Sequence, residues 1–260
     1  MKKLVLVGSL VTVGSAFAIS GLEVDVSAGV ISHKPSGVIQ YPVPGGDVID
    51  IKKDLGLGEE SKVFGRVKFE HFLPLLPNLY LQYMPMEFTG SGNISKSIKY
   101  GQTTYTANTK VDSKVQLDRF DLGLYYGIPL SGLATMGTLD PEIGINVRIM
   151  DFKGSITGSS GSQIKTESKS ATIPIPMLYG ALGVNPFVIP VSFRGEIRGV
   201  SVSKVTYYDW TLEGRVKPLK LIPLYLSAGY RYEKLKIDDI SDIYTDLTVK
   251  GPFFMVGASF

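Results

Sequence analysis

Opposite charges recur two residues apart along several stretches of this sequence. IPVSFRGEIRGVS carries Arg194, Glu196 and Arg198; TYYDWTLEGRV carries Asp209, Glu213 and Arg215; AGYRYEKL carries Arg231 and Glu233. Further members are Glu23 with Asp25, Arg66 with Lys68 and Glu70, Arg119 with Asp121, and Glu142 with Arg148. Residues two apart share one face of a β-strand. Charges of both signs on one face can neutralise one another as ion pairs or line a narrow polar path for a small solute.

Catalytic chemistry has little to work with. The only histidines are His33 and His71. Glu70 adjoins His71, but consecutive residues of a strand point to opposite faces. There is no G-x-S-x-G elbow, no H-x-x-x-H metal pair and no phosphate-binding loop. SITGSSGSQ (155–163) is rich in Gly and Ser without a strand-to-helix context, and reads as a flexible loop tip. With no cysteine, disulfides, thiol nucleophiles and thiolate metal sites are all excluded. No cofactor, metal or enzymatic activity is expected.

The elements that would carry these charges alternate with period two. Ile143, Ile145, Val147 and Ile149 oppose Glu142, Asn146 and Arg148; Leu224, Leu226, Ala228 and Tyr230 oppose Tyr225, Ser227 and Arg231. The pattern predicts ten strands, near 22–33, 62–72, 79–90, 111–127, 140–156, 167–181, 188–202, 206–217, 224–237 and 246–260. A soluble sandwich also alternates, but its strands usually run about five or six residues, whereas a tilted membrane-spanning strand needs about 9 to 11. The connections 34–61, 91–110, 157–166, 203–205 and 238–245 are mostly longer and polar. Those at 73–78, 128–139, 182–187 and 218–223 are mostly short and carry proline. That asymmetry fits the outer loops and inner turns of an antiparallel, up-and-down transmembrane β-barrel.

MKKLVLVGSLVTVGSAFA, with Lys2 and Lys3 ahead of a short apolar run and an A-x-A end, has the form of a secretory signal peptide cleaved after Ala18, leaving 19–260 as the barrel. No later apolar run reaches the roughly 20 residues of a membrane helix. A chain that spans lipid without helices must close into a barrel, because every backbone amide and carbonyl needs an internal partner. Two of the three net positive charges sit at Lys2 and Lys3, so there is no nucleic-acid footprint.

The last strand ends FFMVGASF, with Phe254, Val256, Ala258 and Phe260 on one face. In this it resembles bacterial outer-membrane barrels, whose C-terminal strand ending in Phe is the signal read by the barrel-assembly machinery. The chain is also similar to a family of uncharacterised outer-membrane barrels with a Gly-Gly pair (here Gly45 and Gly46) ahead of an Asp-Leu-Gly-Leu element (Asp54, Leu55, Gly56, Leu57). The resemblance implies a Gram-negative outer-membrane location, with lipid and the assembly machinery as partners, and brings no established activity. Some ten-stranded outer-membrane barrels are proteases using an Asp-His pair at the outer rim; here His33 and His71 are expected at opposite ends and cannot cooperate, and no acidic residue adjoins either in such a pattern apart from Glu70, on the other face from His71.

With apolar faces toward lipid, the charged faces must point inward. About 8 strands leave an interior just filled by side chains and about 16 open a channel. Ten strands with long, oppositely charged side chains should therefore be largely plugged by ion pairs. The 34–61 connection is expected either as a plug in the mouth or as an outer loop. Tyr80, Tyr125, Tyr126, Tyr179, Phe187, Tyr225 and Phe260 would form an aromatic girdle near the inner turns, and Phe64, Phe88, Tyr207, Tyr208, Trp210, Tyr230 and Tyr232 one toward the loops. The expectation is a monomeric, porin-like envelope barrel, with a narrow conduit as its finer form. The alternatives are a membrane enzyme or lipid-handling barrel, and a soluble periplasmic ligand binder.

Overall fold

A computed structural model describes residues 21–73, 75–128, 135–186, 189–218 and 222–260. The expected leader at 1–18 and the girdle residue Phe187 lie outside them.

Strand β1 (Leu22–Gln40) is followed by the short β2 (Ile49–Asp50), by β3 (Glu60–His71), β4 (Asn78–Met84) and β5 (Glu87–Ile94), and by a small hairpin of β6 (Ile98–Tyr100) and β7 (Thr103–Tyr105). Long strands complete the chain: β8 (Thr109–Gly127), β9 (Leu139–Ser160), β10 (Gln163–Val184), β11 (Val191–Val202), β12 (Val205–Val216), β13 (Leu224–Ile240) and β14 (Ile243–Ser259). Neighbours in sequence pair antiparallel around the sheet, and β14 pairs back onto β1 from Asp25↔Ser259 to Gln40↔Tyr244, which closes the barrel. β4 and β5 both pair with β8 and form one interrupted stave, so the wall has ten staves among the described residues.

Proline causes the interruption. Pro85 has no amide to give the ladder, and the amide of Met86 turns to the Asp118 carboxylate at 3.0 Å. Below this point β4 pairs with β3, from Phe69↔Leu79 up to Gly65↔Tyr83; above it β5 pairs with β8 alone. A second unpaired flank lies along β10, which meets β11 only from Leu178 to Val184 and carries Pro174 and Pro176 beyond.

Several strands are far longer than a membrane requires, and each changes character partway. On β8 the even residues face outward throughout, yet they are polar from Lys110 to Asp118 and apolar from Phe120 to Tyr126. The inward odd residues do the reverse: Val111, Val115 and Leu117 are buried apolar groups, while Arg119 and Asp121 are buried charges. On β9 the switch falls between Ile149, exposed and apolar, and Asp151, exposed and charged. The barrel therefore has two storeys. Near the turns it is oily outside and charged inside, as lipid demands; near the loops it has an oily core and a polar skin, as water demands.

The upper storey corrects the expectation that apolar faces look outward along the whole wall. It also absorbs most of the expected outer loops. The stretches 157–166 and 238–245 are strand carried to tight turns, at Gly161 (φ +62°) and at Ser241 and Asp242 (φ +53° and +63°). SITGSSGSQ is accordingly the tip of the β9–β10 hairpin and not a loose loop.

Candidate functional site

In the lower storey the charged faces meet. At the turn end they surround a cavity of about 340 Å³ lined by Lys68, Glu70, Asp140, Arg194, Arg215 and Lys217, among others. Its floor is ionic: Lys68 reaches Glu70 at 2.8 Å and Glu142 at 2.9 Å, and Arg194 reaches Glu142 at 2.5 Å and Glu196 at 2.8 Å. Beside it, Arg215 of β12 donates at 2.8 Å to Asp25 of β1, the register partner of Lys68. Glu23, at the rim, accepts from Ser259 Oγ at 2.7 Å and belongs to no ion pair among the described residues.

Deeper in, the lattice is fully buried. Arg66 meets Glu213 at 2.9 Å, Arg198 meets Glu196 at 3.0 Å, and Arg231 meets Asp209 at 2.8 Å. Arg148 forks onto both oxygens of Asp121, at 2.7 and 2.8 Å, and reaches Asp209 at 2.7 Å. Arg119 pairs with Glu233. Five guanidiniums (66, 119, 148, 198, 231) thus face five carboxylates (121, 196, 209, 213, 233), all buried, so the deep lumen is electrically balanced. Bidentate, planar guanidinium contacts suit such a site better than lysine could; the one lysine of the set, Lys68, stands nearer the wet end.

Tyrosines interleave with these charges. Tyr80, Tyr125, Tyr179 and Tyr225 were expected in an aromatic girdle and are instead buried in the lumen, as are Phe64, Phe88 and Tyr207. Arg198 lies over the rings of Tyr80 and Tyr179 at 4.6 and 5.0 Å, Arg148 over Tyr207 at 4.8 Å, and Arg215 over Tyr225 at 3.7 Å. The phenols donate to carboxylates: Tyr125 to Glu70 at 2.6 Å, Tyr179 to Glu142 at 2.8 Å, Tyr225 to Asp25 at 2.6 Å and Tyr207 to Glu233 at 2.6 Å. Ring face for cation and hydroxyl for anion let one side chain serve both signs. Parity is the signal that finds them, since Tyr125 shares its strand face with Arg119 and Asp121, and Tyr225 with Arg231 and Glu233. Tyr126, Tyr208 and Tyr230 do face outward, and Trp210 stacks on Tyr232 with ring centroids 5.7 Å apart.

The upper storey is corked. Residues 41–59 turn into the mouth, where Ile49, Ile51, Leu55 and Leu57 are buried among Phe88, Val115 and Leu247. Asp50 and Asp54 tie the turn together, Asp54 accepting from the Asp50 amide at 2.9 Å. The Leu55 carbonyl accepts from Ser113 Oγ at 2.8 Å. Gly56 adopts φ +66°, and a Cβ there would stand 2.5 Å from the Ser91 carbonyl oxygen, so only glycine lets the cork lie flat on β5. Gly46 likewise passes against the Tyr41 carbonyl, while Gly45 takes φ +114° in open surroundings. The β6–β7 hairpin folds over the same space: Tyr105 donates to the Ile156 carbonyl at 2.6 Å, and burial pushes its phenol up to about 12.

The histidines lie apart. His71 is at the turn end, with Nε2 3.2 Å from the Pro77 carbonyl oxygen. His33 points into the barrel just above the oily belt, edge-on to Phe88 at 6.3 Å, and its Nε2 has no hydrogen-bond partner among the described residues. Burial holds its pKa down to about 3, helped by the nearby Arg119, Arg231 and Lys62. Among the described residues no group of three or more His, Asp or Glu side chains is placed to hold a metal ion.

On the last strand Phe254 and Val256 face outward and are exposed. Ala258 departs from the expected exposed face: it is fully buried, in register between Val26 and Leu224, where a methyl group is too short to emerge. The half-buried Phe260 exchanges both backbone hydrogen bonds with Val24, each 3.0 Å, so the terminal residue is sheet-paired.

No protein-family model matches the sequence, and no curated protein does. Solved structures of similar course include the translocator domain of the autotransporter NalP from Neisseria meningitidis, 12% identical with a TM-score of 0.42, over 100% of this chain and 96% of that one. The transport unit of the autotransporter AIDA-I from Escherichia coli is 10% identical, with a TM-score of 0.38 over 97% of each chain. A TodX deltaS2S3 mutant, a monoaromatic hydrocarbon channel, is 10% identical with a TM-score of 0.34, over 94% of this chain and 91% of that one. Likeness at this level carries no functional argument. Sheet order, β14–β1 closure and the outward apolar belt together make the chain an antiparallel, up-and-down transmembrane β-barrel of ten staves.

Proposed function

We propose that the chain is exported to the bacterial outer membrane and works there as a monomeric, non-catalytic barrel that is closed along its axis. The observation that carries this reading is the two-part seal: a charge-balanced lattice of buried, ion-paired arginines below, and an apolar cork above. An ion crossing such a lumen would have to break buried pairs, each costing about 3–5 kcal/mol when one partner is lost, and then enter a hydrocarbon-like plug. A narrow conduit for a small solute is the finer form of this role, opened only when residues 41–59 leave the mouth. Phe254, Val256 and Phe260 would present the last strand to the assembly machinery.

Purified protein in planar lipid bilayers tests this. The expected result is insertion without a steady open level. Long-lived, ohmic conductance from the unmodified chain would overturn it. The cavity at the turn end favours a second reading, binding of a small polar solute on the periplasmic side, because Asp140, Lys217 and Asn185 line open space there.

A further inference from the structure

The wall is not sealed all the way round. Above the Gly65↔Tyr83 pair, β3 and β5 are neighbouring staves with no backbone pairing between them among the described residues. Among the described residues two side-chain contacts span the seam: Lys62 to Glu87 at 3.5 Å, and Thr89 Oγ1 to Glu60 at 3.3 Å. Both are exposed or half-exposed polar contacts, of the kind worth little in water.

The seam begins in the oily belt. Val30, Val63, Tyr83 and Phe120 surround its lower end and are all exposed on the outer face, Val63 by 65%. Directly inside lies an apolar cluster separate from the main upper core: Ile31, Phe64, Met84, Phe253 and Met255. This cluster, with Arg66, Gln82, Glu196, Thr211 and Arg231 beneath it, surrounds a void of about 10 Å³, the room of one water. Methionines can re-pack around an incoming chain at little cost. On the same inner side, facing Phe88 of β5, stands the buried His33, whose Nε2 lacks a partner. A buried imidazole nitrogen left unpaired is costly, and a hydrogen-bonding group brought beside it would relieve that cost.

We propose that the β3–β5 seam is a lateral port, through which a single-chain amphiphile with a carboxyl or hydroxyl head passes its hydrocarbon tail from the outer leaflet into the Phe64–Met84–Met255 cluster. The port rests on the outer-membrane reading above but not on the axial seal. Its polar rim, Lys62 with Glu87 and Thr89 with Glu60, parts without breaking any backbone ladder. Its apolar lining continues the lipid belt inward, and His33 waits for the head oxygen.

The test is photolabelling of the full chain in phosphatidylcholine vesicles holding a fatty acid with a diazirine on its tail, with adducts mapped by mass spectrometry. Adducts on inward Phe64, Met84, Phe253 or Met255, beside those on outward Val63 and Tyr83, are expected. Met255→Trp, which fills the void, should cut the inward adducts several-fold and spare the outward ones. His33→Phe, which keeps the ring and removes the nitrogen, should do the same for the fatty acid and not for a diazirine-bearing alkane. Folding of both variants is read by heat-modifiable migration on gels, and the unmodified chain alone decides the matter if either fails to fold. Outward adducts without inward ones would sink the port and leave the membrane reading standing. Loss of the outward adducts at Val30, Val63 and Phe120 as well would sink both. Inward adducts spread equally to Tyr105 or Tyr225, at the two ends of the axis, would replace the port by axial entry.

Discussion

Arg148 is the residue on which the lower lattice should turn. It is fully buried, and its three nitrogens meet Asp121 and Asp209 at 2.7–2.8 Å. At such distances one contact is worth roughly 6 kcal/mol gross at an effective dielectric of about 20, most of it offset by desolvation. Removing the cation leaves two carboxylates short of a partner. Asp209 still holds Arg231 at 2.8 Å, and Asp121 still accepts from Asn146 at 2.8 Å, so the loss should fall at the lower end of the 3–5 kcal/mol range typical of broken buried pairs. Arg148→Met should therefore destabilise the barrel by about 3 kcal/mol. Asp121→Asn added to it should restore at least about 1.5 kcal/mol, because the stranded charge is then gone. The assay is urea unfolding in lipid vesicles followed through Trp210, the only tryptophan, whose stacking on Tyr232 against lipid makes it a reporter of the wall. A single-variant loss under about 1 kcal/mol, in the range of exposed pairs, would refute the buried-lattice reasoning. So would a double variant whose loss equals the sum of the two singles.

The cork and the buried histidine give two further expectations. Gly56→Ala forces a Cβ against the Ser91 carbonyl at a left-handed φ; it should make residues 41–59 open to protease in intact vesicles while the Trp210 unfolding midpoint moves little. His33 is held neutral to about pH 3 when folded but takes a proton near 6.5 when unfolded. Its contribution is therefore flat above pH 6.5 and becomes destabilising as pH falls below it, by about 1.4 kcal/mol per unit. His33→Leu should remove about 2–3 kcal/mol of the stability difference between pH 7 and pH 4.5; an unchanged difference would place the acid sensitivity elsewhere.

Much of the wall was legible in the sequence, because a strand's alternation survives whatever surrounds it. The starts of β3, β8, β9 and β13 fall within two residues of their expected places. The upper storey was hidden by a change of phase. In TKVDSKVQL (109–117) the apolar residues are odd-numbered, whereas in DRFDLGLYY (118–126) they are even-numbered, so a reading that sets every apolar face against lipid keeps the strand and inverts its faces where water takes over. Pro85 was read through as strand, since β8 continues beside it without a shift in register; only the partner on the other side is lost. The lumen tyrosines were misplaced because amphipathic rings suit both a membrane interface and a cationic interior, and only strand parity separates the two.

Pairing across the bore also bears on how the ring finds its register when its first and last segments join. A slip of two residues between β1 and β14 would leave every greasy side chain still facing oil, because strand faces repeat every second residue, so hydrophobicity cannot detect the mistake. It would, however, slide Asp25 about 7 Å along the wall. Asp25 would then miss Arg215 and Tyr225, contacts that reach across 190 and 200 residues of chain, and would leave Arg215 only its longer 3.4 Å contact to Glu213 on its own strand. The interior charges thus proofread the shear of the cylinder and admit one closure out of several that oil alone would accept.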